Sequence, residues 1–96
     1  MNLNTVSDKI VFSILKDIKV GHLELTNYDG KNYSFGNAKD KLKANIKIKN
    51  KNFTFNLIKS GSVGLAESYM NDYFETKNLS NLIEITARNI KQIHKF

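Results

Sequence analysis

The stretch Leu42-Lys43-Ala44-Asn45-Ile46-Lys47-Ile48-Lys49 alternates without a break. Leu42, Ala44, Ile46 and Ile48 fall on one side of an extended chain, and Lys43, Asn45, Lys47 and Lys49 fall on the other. Successive side chains of a strand point to opposite faces, so this pattern predicts a strand with one buried and one wet face. Sheets solvated on one side are commonly antiparallel, whereas parallel strands covered on both faces read as continuous apolar runs. The stretch therefore points to a small antiparallel sheet.

The residues before it supply two more strands. Leu23 and Leu25 alternate with His22, Glu24 and Thr26 across His22–Tyr28. Asp29-Gly30 is a two-residue hairpin signal, and Tyr33 and Phe35 alternate on a return strand that ends near Gly36. A polar loop, Asn37 to Lys41, leads on to Leu42. Further upstream the period becomes helical: Ile10, Val11, Ile14, Leu15 and Ile18 share one face of a helix over Thr5–Lys19, with Thr5 or Ser7 as its cap. Downstream, Phe53, Leu57 and Ile58 predict a short helix ending at Ser60-Gly61, and a second spans Val63–Met70. Tyr73–Thr76 reads as an edge strand. A final helix over Leu79–His94, capped by Asn78 or Ser80, places Leu79, Leu82, Ile83, Thr86, Ile90 and Ile93 on one face. The expected fold is α+β: an antiparallel sheet of three to four strands with helices packed on one side, forming one domain over residues 1–96.

Bulk composition narrows the function. A chain of 96 residues builds one small core, whose stability benefits from a partner or a second copy. No cysteine is present, which removes thiolate nucleophiles, disulfides and zinc–thiolate sites. His22 and His94 lie far apart in sequence, and no carboxylate set joins them as a metal site. Apolar runs are too short to span a bilayer, and Met1–Asp8 has no signal-peptide pattern, so a cytoplasmic location is expected. The formal charge of +6 favours anionic partners. Lys and Asn together make up 27 of the residues, however, and compositional drift alone produces such a surplus. Arg88 is the one arginine, which disfavours nucleic acid, where guanidinium forks are the usual readers.

Three stretches carry a family resemblance. Gly21-His22-Leu23-Glu24-Leu25 leads to Asp29-Gly30 and then Tyr33-Ser34-Phe35-Gly36. The strand Ala44–Ile48 runs into Asn50, Asn52 and Phe53. Most specific is Gly61-Ser62-Val63-Gly64-Leu65-Ala66-Glu67-Ser68-Tyr69-Met70, a run of Gly, small, apolar, Gly, apolar, small, Glu, small, Tyr, Met. Together they resemble the N-terminal domain of the cyclopropane-fatty-acyl-phospholipid synthases, a family of S-adenosylmethionine-dependent methyltransferases. The resemblance covers roughly residues 16–90, and Leu79, Leu82 and Asn89 fit the family's Leu-rich helix. Asp72 and Phe74 stand where the family usually has Gly and Trp. If that glycine has positive φ, Asp72 must adopt it at some cost.

The resemblance implies a fold similar to the sterol-carrier proteins and a non-catalytic, lipid- or membrane-facing accessory domain. Methylene transfer from S-adenosylmethionine to unsaturated phospholipid acyl chains would belong to a separate catalytic domain or polypeptide. No S-adenosylmethionine loop, and so no cofactor site, is read in this chain. The expected partners are that methyltransferase and a phospholipid surface at the inner membrane face, with self-association as a further option. Glu67, Tyr69, Met70, Tyr73 and Phe74 are the candidate lipid or interface residues, since a carboxylate in an apolar setting needs a partner and such aromatics anchor interfaces. The same residues also suit plain core packing. Lys43, Lys47, Lys49 and Lys51 are the candidate anionic-membrane contacts, each worth about 1 kcal/mol near such a surface. A solvated sheet face is the competing reading. Two other functions remain open: a free-standing lipid carrier with its ligand between sheet and helices, and a basic nucleic-acid-binding domain.

Overall fold

The computed structural model describes residues 6–89, folded as an α+β domain with a four-stranded mixed sheet and three helices. In chain order these are α1 (Val6–Leu15), β1 (His22–Thr26), β2 (Asn32–Gly36), β3 (Lys43–Ile48), α2 (Phe53–Met70), β4 (Phe74–Glu75) and α3 (Leu79–Arg88). The spatial strand order is β2-β1-β3-β4.

One pairing departs from the antiparallel expectation. β1 pairs antiparallel with β2, and β3 with β4, but β1 and β3 run parallel, with Leu23 opposite Ala44 and Leu25 opposite Ile46. Alternation reports which face is buried and is blind to strand direction. The direction is set by the loop of residues 37–42, which crosses the start of β1 instead of folding back along β2. Asp40 pins that crossing. Its carboxylate accepts the Gly21 amide at 2.8 Å and the Leu42 amide at 2.9 Å, while His22 N–H donates to the Leu42 carbonyl. These two amide hydrogen bonds, first Leu42 and then Gly21, hold the Asp40 carboxyl below its ordinary range, and the charges of Arg88 and Lys43 add to the effect.

The lowered value sets a pH dependence. A carboxylate whose folded pKa is depressed stabilises above its unfolded value, and that stabilisation is lost as pH falls through the folded value. The domain is therefore expected to weaken in urea melts as pH drops below about 4. Asp40→Asn is expected to be less stable than wild type at pH 7 and to lose less on acidification. Parallel acid profiles for the two proteins would remove Asp40 from that role.

The apolar face of the sheet carries Leu23, Leu25, Phe35, Ala44, Ile46, Ile48 and Phe74, all buried. Helices cover this face, and Glu24, Ser34, Lys43, Lys47 and Glu75 are exposed on the other side. Phe12 of α1 is fully buried and meets Tyr33 and Phe35 edge-on, with ring centroids 4.8 and 5.7 Å apart. The helical stripe is thus rotated from expectation. Val11 and Phe12 form its centre, Leu15 and Ile18 pack at its edge, and Ile10 and Ile14 are only half-buried. Asp8, in the first turn of α1, is also fully buried. It accepts Thr54 Oγ1 at 2.7 Å and the Tyr28 hydroxyl at 3.2 Å, tying α1 to the hairpin and to the start of α2.

α2 is two helices in one. Gly61 interrupts it with φ 52° and ψ −126°, a conformation open almost only to glycine. The expected break at Ser60-Gly61 is therefore present. The halves fold so closely that a Cβ on Gly64 would overlap the backbone carbonyl of Asn56. Asn78 caps α3, its side chain accepting the Asn81 amide at 3.0 Å. The described helix runs to Arg88 with Asn89 as its cap, and the expected continuation to His94 lies outside the described residues. Its core contacts are Leu82 and Ile85; Ile83, expected on the apolar face, is 52% exposed.

Candidate functional site

α2 and α3 leave a groove between them. Its walls are Ser62, Leu65, Ala66, Tyr69 and Met70 on the second half of α2, and Leu79, Ile83, Thr86 and Ala87 on α3, with Phe74 at the base. The two sets recur at helical spacings of three and four, so each helix turns one stripe into the groove. The groove holds about 460 Å³ and is open to solvent. Met70 is 75% exposed beside it. Leu65, Leu79 and Phe74 back this wall onto the core, while Met70 and Ile83 leave apolar surface in contact with water.

The expected interface residues divide around this groove. Tyr69, Met70 and Phe74 line it, and Phe74 also packs against Phe53 at a centroid distance of 5.0 Å and Tyr69 at 5.6 Å. Phe74 is fully buried, so it acts first as core and second as groove floor. Tyr73 is half-buried against the core and does not line the groove; its carbonyl accepts the Lys49 and Asn50 amides. Glu67 is exposed, and its carboxylate has no hydrogen bond among the described residues. The expected burial of that carboxylate is not found, because Ser68, its neighbour, takes the inward position on the helix. Asp72 does adopt positive φ, at 62°, where the resemblance expects a glycine.

The four candidate lysines are also divided. Lys47 lies 3.9 Å from Glu75, and Lys49 lies 2.7 Å from Asp72 and 3.9 Å from Glu75. The hydrogen bond to Asp72 is the main influence raising the Lys49 ammonium pKa. This end of β3 is therefore close to neutral. Lys43 is exposed at the other end of β3 and donates to the Ala38 carbonyl at 2.7 Å. Lys51 is exposed in the turn before α2. Sequence reasoning missed Leu65, Ala66 and Ile83 as groove residues. The signal was present in their spacing, but a helical stripe looks the same whether it meets a core or an open groove.

No group of three or more His, Asp or Glu side chains that could hold a metal ion occurs among the described residues. No helix among them is long and apolar enough to cross a membrane. Among the described residues, the geometry defines a small α+β domain that carries an apolar inter-helix groove. Over residues 10–95 the chain matches the family described as Domain of unknown function (DUF7884), and it belongs to that family. No curated protein and no solved structure matches it.

Proposed function

We propose that this chain is a non-catalytic accessory domain that faces phospholipid through the groove between α2 and α3. It would serve a methyltransferase of the cyclopropane-fatty-acyl-phospholipid synthase type, carried on another domain or polypeptide. The observation that carries the reading is the groove itself: a continuous apolar surface with one wall, Leu65, Ala66, Tyr69 and Met70, from the stretch that bears the family resemblance and the other, Leu79 and Ile83, from α3. Phospholipid offers acyl chains to such a surface, and Tyr69 and Met70 at its edge are side chains suited to an adaptable interface. The positive φ of Asp72, where the family's glycine would stand, supports the same alignment.

A free-standing lipid carrier with its ligand between sheet and helices is less well supported. That space is occupied by Phe12, Phe53, Phe74, Leu82 and Ile85, all buried. A lipid would have to lie in the open groove.

The test is flotation with liposomes. Met70→Glu combined with Ile83→Glu places two charges on exposed groove positions, so the fold should keep its circular dichroism and melting temperature. Vesicle affinity is expected to fall at least about tenfold, since each carboxylate would lose hydration on contact with acyl chains. Unchanged affinity in a folded double variant would sink the groove as the lipid-facing surface.

A further inference from the structure

One end of the molecule gathers the loops of residues 16–21 and 37–42, the start of β3 and the end of α3. Hydrogen bonds hold these pieces together. Asp40 joins Gly21 to Leu42, Asn37 N–H donates to the Gly21 carbonyl, and Asn89 accepts from the Lys19 and Val20 amides. Lys16, Lys19, Lys39, Lys41 and Lys43 are all exposed at this end, and Arg88 closes it. Three acids lie among them: Asp40, held ionised by backbone amides and facing Lys43 and Arg88, Glu84, which pairs with Arg88 at 2.6 Å, and Asp17, so the cations outnumber the acids. The contrast with the far end of β3 is sharp, because there Asp72 and Glu75 answer Lys47 and Lys49.

We infer that this lysine-rich pole, with Lys19, Lys39, Lys41 and Lys43 at its centre, is the surface that meets the anionic headgroups of a phospholipid bilayer. The inference deepens the lipid-facing reading and rests on it. α3 joins the two surfaces: Thr86 and Ala87 line the groove near its C-terminal end, and Asn89 just beyond them is bonded to Lys19 and Val20. Headgroup contact at the pole and acyl contact in the groove can therefore occur along one helix. The chemistry favours lipid over nucleic acid. The exposed cations are almost all lysines, which act as point charges rather than planar forks, and no Phe, Tyr or Trp lies in the two loops to stack on a base.

The experiment measures binding to vesicles of phosphatidylcholine alone and of phosphatidylcholine with phosphatidylglycerol, at low and at moderate salt. Wild type should bind only the anionic vesicles, and salt should weaken binding. Lys39→Gln/Lys41→Gln should reduce affinity about 25-fold, at roughly fivefold for each lysine removed from an anionic surface. Lys31→Gln/Lys59→Gln removes the same charge from exposed positions elsewhere and should change affinity by less than about threefold. Equal losses from the two pairs would overturn the pole and leave the lipid reading standing. Absence of binding to every vesicle would overturn both, as would tighter binding to a DNA duplex than to the anionic vesicles.

Discussion

Gly64→Ala is expected to destabilise the domain by about 3 kcal/mol in urea unfolding followed by circular dichroism. The new methyl group would overlap the backbone carbonyl oxygen of Asn56 and stand 2.9 Å from its carbonyl carbon. A flexible side chain could swing aside, but a helix carbonyl cannot move without the turn that holds it. The two halves of α2 would have to separate. Because Leu65, Ala66, Tyr69 and Met70 follow Gly64 on the second half, the groove should widen and vesicle affinity should fall as well. Gly61→Ala is the informative comparison. Nothing lies within 4 Å of a Cβ there, so its cost is backbone strain alone, about 1–2 kcal/mol. A Gly64→Ala protein as stable as wild type would mean that the halves of α2 do not pack as described.

The second large effect is expected at Asn89. Its side chain is 1% exposed and fully used: Oδ1 accepts the Lys19 and Val20 amides at 2.9 and 3.1 Å, and Nδ2 donates to the Val20 and Ile85 carbonyls at 2.8 and 2.7 Å. It fastens the loop that follows α1 to the end of α3. Asn89→Ala would strip partners from three backbone groups of that loop at once. Unmade bonds to buried groups cost about 1–3 kcal/mol each, and water can reach part of this site, so a total of about 3–4 kcal/mol is expected. Asn89→Asp keeps the acceptor but sets a carboxylate oxygen against two carbonyls, so it should rescue little. A loss below about 1 kcal/mol in Asn89→Ala would show that the loop is held by other contacts.

Asn89 also shows where the sequence stopped being readable. It fits the helical pattern of the residues before it, and nothing local says that its amide reaches back some seventy positions to Val20. The first three strands, by contrast, were legible, because alternation is a local property and they appear close to where it placed them. The break in α2 was legible for the same reason: Gly61 sits between two short periodic runs. Strand direction was not legible. It depends on the Asp40 contacts with Gly21 and Leu42, and a lone Asp in a polar loop carries no trace of that role. Phe12 and Asp8 went unnoticed on α1 because counting Ile, Val and Leu at helical spacing gives a face of Ile10, Val11, Ile14, Leu15 and Ile18 that leaves both to one side. Tertiary packing turned the helix toward the larger ring and the hydrogen-bonded carboxylate. For the candidate site, Tyr69 and Met70 were legible as interface-type side chains. The pairing of Lys47 and Lys49 with Asp72 and Glu75 was not, since it is made across β3 and β4.

The most direct test of the accessory-domain reading is an assay of methylene transfer. The tagged chain is purified under gentle conditions from its own cells and mixed with unsaturated anionic vesicles and labelled S-adenosylmethionine. Label is expected in cyclopropane acyl chains, through a methyltransferase that accompanies the chain, and Met70→Glu/Ile83→Glu should reduce it in step with vesicle affinity. A preparation that floats with vesicles yet transfers no label, or whose transfer is indifferent to the groove substitutions, would separate this domain from that chemistry.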